Sequence, residues 1–279
     1  MKRYMIHHQQ VDFRVTEWGK RENPVIFCLH GLGSTGLSFI EIADALKNNF
    51  CILAIDAPGH GMSQAFIDDC YYDYPRFCSW LNGVLDKLNV DRFYFLSHSW
   101  GSFVHLYYLI NQSERVNGSI CIDGGYQSKK LRGDSPENEA AFYETDFEDY
   151  CESWEEFEKV AVYNGISRRS PLLDLAAQDL ALHKDNRYYW HARGKTGAAI
   201  VKSMYRDEIL DFLSDVQKSP IILLRATLPL EDEHFKSRAA DIFSSLTGAK
   251  VKAVPNATHM LHWDQPEQVV QEIKENWLV

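Results

Sequence analysis

Ser99 occupies a sequence position at which a protein chain can expose a nucleophile. The apolar run 93–96 ends at Ser97-His98-Ser99-Trp100-Gly101, and an amphipathic run starts directly afterwards. This pattern predicts a strand, a sharp turn and a helix, with the Ser99 hydroxyl at the apex and a helix N-terminus behind it that favours negative charge. The usual signature has Gly at both small positions, so Ser97 is a departure from it. A serine-rich turn without chemistry has the same pattern, and the rest of the chain must decide.

Polar clusters follow several of the apolar runs that read as buried strands. These clusters lie at 30–34, 56–63, 97–101 and 123–125. Helical apolar stripes over 37–47 and 75–88 separate them, and such alternation of strand and helix predicts a parallel sheet with right-handed crossovers. Because ligands bind at the carboxyl ends of strands in such sheets, the four clusters are expected to share one site.

The rest of the chain divides into sheet and insertion patterns. Residues 4–18 read as a β-hairpin, and buried strands return at 220–225 and 250–254, the latter before a closing helix over 266–278. Between them, 127–215 shows helical patterns but no buried strand run. We interpret it as a mostly helical cap, or lid, inserted into a core formed by 1–126 and 216–279.

Within the insertion, residues 134–158 are rich in Asp and Glu and contain no Lys or Arg. A solvated helix face is the simplest interpretation of such a charge run. A cation site or a protein-docking surface is the alternative.

Composition excludes several classes of protein. The chain has 279 residues, a formal net charge of −10 and a pI of about 5.5, which argues against nucleic-acid binding. No apolar stretch is long enough to span a bilayer, and the first residues lack the apolar core of a signal peptide. Six cysteines without a CxxC pair predict a cytoplasmic protein without structural zinc. Monomer and dimer both stay open.

Four motifs in this order resemble the α/β-hydrolase superfamily over nearly the whole chain. They are His30-Gly31, Asp56-x-Pro-Gly-His-Gly-x-Ser63, the turn at Ser99, and His259 before the last helix. The resemblance implies an α/β-hydrolase fold, with a mostly parallel sheet flanked by helices and a lid inserted after the sixth strand.

The resemblance also implies roles for single residues. Ser99 would be the nucleophile and His259, in the loop after the last strand, its general base. His262 is close in sequence but lies on the way into the helix. The backbone N–H groups of Leu32 and Trp100 would form the oxyanion hole.

The acid is where the sequence departs from the family pattern. Such families usually place it after the seventh strand, but the turn 226–230 has no carboxylate there, and Glu231 and Asp232 follow late. Asp123 stands at the second family position, the end of the sixth strand. We favour Asp123, because a buried strand end positions a side chain better than a loop does, and Glu231 or Asp232 remains the alternative.

These residues predict a serine hydrolase that cleaves an ester or related acyl bond of a small, largely apolar substrate through an acyl-enzyme, without metal or cofactor. The same residues could serve a C–C bond hydrolase. The Ser-His-Ser-x-Gly turn with an acid 24 residues later also resembles cofactor-free dioxygenases, although Leu32 stands where that subgroup has an aromatic residue. A ligand-sensing protein on the same fold is the third alternative. The sequence does not identify the substrate.

Overall fold

A computed structural model describes residues 1–163, 165–166, 168–216 and 220–278 of the chain, the side chain of residue 161 excepted. Its centre is an eight-stranded sheet in the order β1-β2-β4-β3-β5-β6-β10-β11. These strands are β1 Lys2–His8, β2 Val11–Trp18, β3 Val25–Leu29, β4 Cys51–Ile55, β5 Phe93–His98, β6 Val116–Ile122, β10 Ile221–Ala226 and β11 Lys250–Val254.

The strands from β4 to β11 in this order pair in parallel, whereas β2 pairs antiparallel with both β1 and β4. Successive side chains of a strand point to opposite faces of the sheet. Two buried hydrophobic clusters lie on opposite faces of the sheet. In β3, Ile26 packs in one cluster and Phe27 in the other, and in β5 Leu96 and Phe95 are likewise in different clusters. Both faces are therefore covered, which is why these strands read as continuous apolar runs.

Helices cover the two faces of the sheet and form much of the segment inserted between β6 and β10. In chain order they are α1 Ile40–Leu46, α2 Tyr74–Lys87, α3 Trp100–Gln112, α4 Lys129–Arg132, α5 Pro136–Asp146, α6 Trp154–Phe157, α7 Pro171–Leu180, α8 Gly194–Arg206, α9 Glu233–Thr247, α10 Leu261–Asp264 and α11 Pro266–Trp277. Within the described ranges, no helix combines the length and the apolar character that a membrane crossing requires. The predicted α/β-hydrolase architecture, a mostly parallel sheet between helices, is confirmed.

Between β6 and β10 the chain forms the inserted segment, residues 127–215. It contains α4 to α8 and a small antiparallel sheet in the order β7-β9-β8, formed by β7 Tyr150–Cys151, β8 Ala181–Lys184 and β9 Arg187–Trp190. Of the eleven residues of α5, Ala140 is the buried one, which confirms a solvated face for this acidic helix. The predicted core range 216–279 includes residues 217–219 and 279, which lie outside the described residues.

The small sheet adds to the helices that the sequence analysis expected in the insertion, and the sequence analysis missed it. Strands β8 and β9 are joined by Asp185 and Asn186, which both have positive φ, 54° and 59°. Two such residues form the type I′ turn that matches the twist of a hairpin. The turn residues were visible in the sequence, but two strands of four half-buried or exposed residues lack the apolar run on which the prediction depended.

One carboxylate in α7 joins the inserted segment to the first strands of the core. Asp179 Oδ1 and Oδ2 accept hydrogen bonds from both terminal nitrogens of Arg3, at 2.9 and 2.6 Å. Its Oδ2 also accepts from Arg14 Nη2 at 2.7 Å and from Thr35 Oγ1 at 2.9 Å. Since the Asp179 side chain is only 11% exposed, these charge-assisted bonds are shielded from water.

We expect Asp179→Asn to lower the free energy of unfolding by about 2–4 kcal/mol, because it removes the charge that two arginines share in a partly buried site. Asp211→Asn is the matched control, since Asp211 pairs with Lys130 on the surface and should change stability by less than about 0.5 kcal/mol. Urea titrations followed by tryptophan fluorescence measure both. Equal effects of the two substitutions would contradict a stabilising role for the Asp179 contacts.

Candidate active site

Ser99 lies between β5 and α3 in a backbone conformation that side chains rarely adopt, with φ 52° and ψ −124°. Two glycines make room for it, and a third lets α3 approach β3. A Cβ on Gly31 would lie 2.7 Å from Ser99 Cβ, one on Gly124 would lie 2.6 Å from Ser99 Cα, and one on Gly101 would lie 2.5 Å from a backbone oxygen of β3. The Ser99 N–H donates to the Ile122 carbonyl at 3.0 Å, which fixes the turn to β6. The predicted strand, sharp turn and helix are therefore present, with Ser99 at the apex.

The departure at Ser97 has a structural explanation. Its Oγ lies 3.0 Å from Ser102 Oγ and 2.8 Å from His105 Nδ1, and His105 Nε2 lies 2.9 Å from Ser119 Oγ. All four side chains are buried. A neutral imidazole donates through one nitrogen and accepts at the other, so His105 can bridge the two hydroxyls. Ser97 thus belongs to a buried polar network beneath the turn.

Ser99, His259 and Asp123 form one chain of hydrogen bonds. His259 Nε2 lies 2.8 Å from Ser99 Oγ, and His259 Nδ1 lies 2.7 Å from Asp123 Oδ2. The imidazole is half exposed, at 51%, whereas the carboxylate is inaccessible to water. The structure brings together the three residues that the sequence analysis favours for a nucleophile, a base and an acid.

Asp123 follows β6 with a positive φ of 40°. Its Oδ1 accepts hydrogen bonds from the Tyr126 hydroxyl and the Ala226 N–H, each at 2.9 Å. Burial alone would raise the pKa of Asp123, but the hydrogen bond and charge of His259 and the Ala226 N–H outweigh it, so the pKa is lowered. An ionised Asp123 requires the proton of the imidazole on Nδ1. Nε2 is then free to accept from Ser99.

The alternative residues lie elsewhere. Glu231 is exposed, and Asp232 pairs with Arg132 at 3.2 Å. Neither carboxylate is a partner of His259 among the contacts described for its imidazole. His262 is buried, with Nε2 2.7 Å from Ser38 Oγ, and burial lowers its pKa to about 3.

Two further histidines hold the loops of the site. His98 Nε2 donates to the His259 carbonyl at 2.9 Å, and burial lowers the pKa of His98 well below its ordinary value. His30 accepts from the Ala57 N–H at Nε2, 2.9 Å away, and donates from Nδ1 to the Gly31 carbonyl at 2.7 Å. The sequence analysis missed the role of His98, although its position next to Ser99 was a signal.

A pocket of about 160 Å³ opens over Ser99 and His259. The core contributes Leu32, Trp100 and Phe103 to its wall. The inserted segment contributes the apolar Val201 and Met204 and also polar side chains, among them Lys129 and Glu139. The sequence analysis expected a largely apolar substrate and missed Lys129 as a pocket residue, because α4 has only four residues and no periodicity to read.

Comparisons with known proteins agree with this architecture. The family model of the α/β hydrolase fold matches residues 24–266. A serine hydrolase-like protein of Danio rerio is 30% identical over 112 residues, which are 40% of this chain and 34% of that protein. The chain thus matches about a third of the length of this curated relative.

Two solved structures have the same fold. E-2-(acetamidomethylene)succinate hydrolase superposes with a TM-score of 0.81 at 17% identity, over 100% of this chain and 99% of that one. The thioesterase domain from the curacin biosynthetic pathway superposes with a TM-score of 0.75 at 18% identity, over 98% of each chain. At these identities the likeness concerns the fold.

We expect the protein to lose stability as the pH falls from 7 to 5, because its buried histidines are neutral. Burial lowers the pKa of His105 to about 3, whereas in the unfolded chain a histidine titrates near 6.5. Between these values the unfolded state binds one more proton, so this residue alone removes about 2 kcal/mol of stability at pH 5 and none near pH 8. Urea titrations at pH 5, 6, 7 and 8 should show a smaller pH dependence for His105→Gln than for wild type. Identical pH dependence would contradict a neutral, buried His105.

Proposed function

The chain belongs to the α/β-hydrolase fold family, and we propose that it is a serine hydrolase that cleaves an ester or related acyl bond of a small substrate. The observation that carries the proposal is the hydrogen-bond chain from Ser99 through His259 to Asp123. The name of the Danio rerio relative, a serine hydrolase-like protein, agrees with it.

In the first step the Ser99 oxygen attacks the substrate carbonyl carbon while His259 Nε2 takes the hydroxyl proton. At 2.8 Å the two atoms are within the range that proton transfer requires. The imidazolium that forms is stabilised by Asp123, whose buried charge lies 2.7 Å from Nδ1. His259 then gives its proton to the leaving group, and the acyl group stays on Ser99.

The oxyanion of the tetrahedral intermediate would be bound by the backbone N–H groups of Leu32 and Trp100. Both residues lie on the pocket wall beside Ser99. Trp100 is the first residue of α3, where the N–H groups of a helix lack intrahelical partners. The close contact of Gly31 with Ser99 brings the Leu32 loop next to the serine. Two donors fixed in this way would stabilise the charge that appears in the transition state.

Water completes the reaction. Because half of the His259 side chain is exposed, a water molecule can reach Nε2 once the leaving group has departed. His259 would take a proton from this water as it attacks the acyl carbon, and would return the proton to Ser99 as the bond to the acyl group breaks.

We assign the inserted segment the role of a lid that shapes the acyl and leaving-group pockets. Side chains of α4, α5 and α8 line the cavity over Ser99, and its volume of about 160 Å³ suits a substrate of few atoms. We place the protein in a reducing compartment such as the cytoplasm, because all six cysteines, each a described residue, are free.

We expect Ser99→Ala and Asp123→Asn each to lower kcat/KM for 4-nitrophenyl acetate and butyrate by about 10³-fold or more. The first removes the nucleophile, and the second disturbs the tautomer that leaves Nε2 free to accept. The double variant Glu231→Gln/Asp232→Asn is the matched control and should stay within about twofold of wild type, because neither side chain contacts the imidazole in the described structure.

Two outcomes would contradict the proposal. A large loss of activity in the control, with no loss in Asp123→Asn, would assign the role of the acid to Glu231 or Asp232, which follow β10. No turnover by wild type, together with no covalent adduct on Ser99 after treatment with a fluorophosphonate, would exclude serine hydrolysis. Oxygen uptake with N-heteroaromatic substrates would then favour the dioxygenase alternative.

A further inference from the structure

We propose that the substrate carries a carboxylate group near the scissile bond, and that Lys129 and Arg132 bind it. The inference rests on the proposed function and names its substrate class. Both cations belong to α4, the first helix after β6, and both line the pocket that contains Ser99 and His259. This modifies the expectation of a largely apolar substrate.

Lys129 is well placed to receive an anion. Its side chain is 13% exposed, and its ammonium pairs with Glu139 and lies 5.5 Å from the centre of the Tyr205 ring. An ammonium has three N–H donors, and the described contact with Glu139 uses one of them. Lys129 lines a pocket that is partly closed to water, where a charge-assisted hydrogen bond from one of the remaining donors is stronger than on the surface.

Glu139 balances one of the two positive charges of the wall. One carboxylate oxygen accepts from Lys129, and the other accepts from the Tyr205 hydroxyl at 2.7 Å. Its charge is thus compensated within the wall and its oxygens are occupied. The other carboxylate of the pocket, Asp123, is held by His259, Tyr126 and Ala226.

Arg132 adds the second cation. Its described partners lie at the outer surface: Asp232 at 3.2 Å, Asp134 at 3.9 Å, and the Phe235 ring at 5.2 Å. A guanidinium has five N–H donors in a planar fork that matches a carboxylate. Because few of these donors are used, the guanidinium can bind a ligand without losing its surface contacts.

The inserted segment contributes two cations and one carboxylate to the pocket wall. Asp123, the other carboxylate of the pocket, is held by His259. Lys129 and Arg132, in contrast, keep N–H donors that their described partners leave unused. These cationic donors lie beside Ser99 in a chain whose net charge is −10. The small cavity keeps any substrate group that enters it close to both the nucleophile and these cations. A substrate carboxylate is the chemistry that such a wall recognises.

The test compares two pairs of esters that differ only in charge. Mono-4-nitrophenyl glutarate carries a carboxylate on the acyl side of the ester bond, and its primary amide is the neutral equivalent. 4-Acetoxybenzoate and 4-acetoxybenzamide place the same two groups on the leaving-group side. For at least one pair we expect kcat/KM of the carboxylate to exceed that of the amide by about 10-fold or more, and the responding pair identifies the side that the cations bind.

Variants show whether the two cations cause this ratio. Lys129→Met and Arg132→Gln should each reduce it several-fold. Lys130→Met is the matched control, because Lys130 lies next in the chain, pairs with Asp211 at the surface and does not line the pocket, so it should leave the ratio unchanged. If Lys129→Met does not fold, Arg132→Gln and a salt titration of wild type remain, and 0.5 M NaCl should lower the ratio.

The outcomes separate this inference from the proposed function. Turnover of the amides that equals or exceeds turnover of both carboxylates would overturn the inference and leave serine hydrolysis intact. The inference would also fail, again with serine hydrolysis intact, if Lys130→Met changed the ratio as much as Lys129→Met does. Failure to hydrolyse any of the four esters, with Ser99 unlabelled by a fluorophosphonate, would overturn the proposed function itself.

Discussion

The left-handed backbone of Ser99 is the constraint on which the rest of the site depends. A side chain in that conformation is tolerated only where neighbouring backbone leaves space, and Gly31 and Gly124 leave it. Gly124 also follows Asp123, so the turn that makes room for the serine is the one that carries the acid. Adjacent β5 and β6 bring these two turns together, and His259 closes the chain of hydrogen bonds between them.

Much of this arrangement could be predicted from the sequence, because it depends on patterns that a single chain displays. Strands buried on both faces are continuous apolar runs, and polar residues directly after them must lie at one edge of a parallel sheet. The choice between Asp123 and Glu231 could not be settled in this way. It depends on the reach of one side chain from a strand end, where a second strand supplies the Ala226 N–H.

The features that sequence reasoning missed are short or depend on tertiary contacts. The hairpin of β8 and β9 has strands of four residues, and helix α4 has one turn, so neither shows a period. His98 matters through a hydrogen bond to the backbone of residue 259, which no local pattern reveals. The core positions Ser99, His259 and Asp123, while the charges that would select a substrate come from the inserted segment.

The hydroxyl of Ser97 has a consequence for consensus-guided engineering. Replacing it with glycine would bring the turn closer to the common Gly-x-Ser-x-Gly motif, and such changes often stabilise proteins. Here the change would take a hydrogen-bond partner from Ser102 and from the buried imidazole of His105. A buried polar group left without a partner costs about 1–3 kcal/mol. In this protein a better match to the motif would lower the stability of the fold.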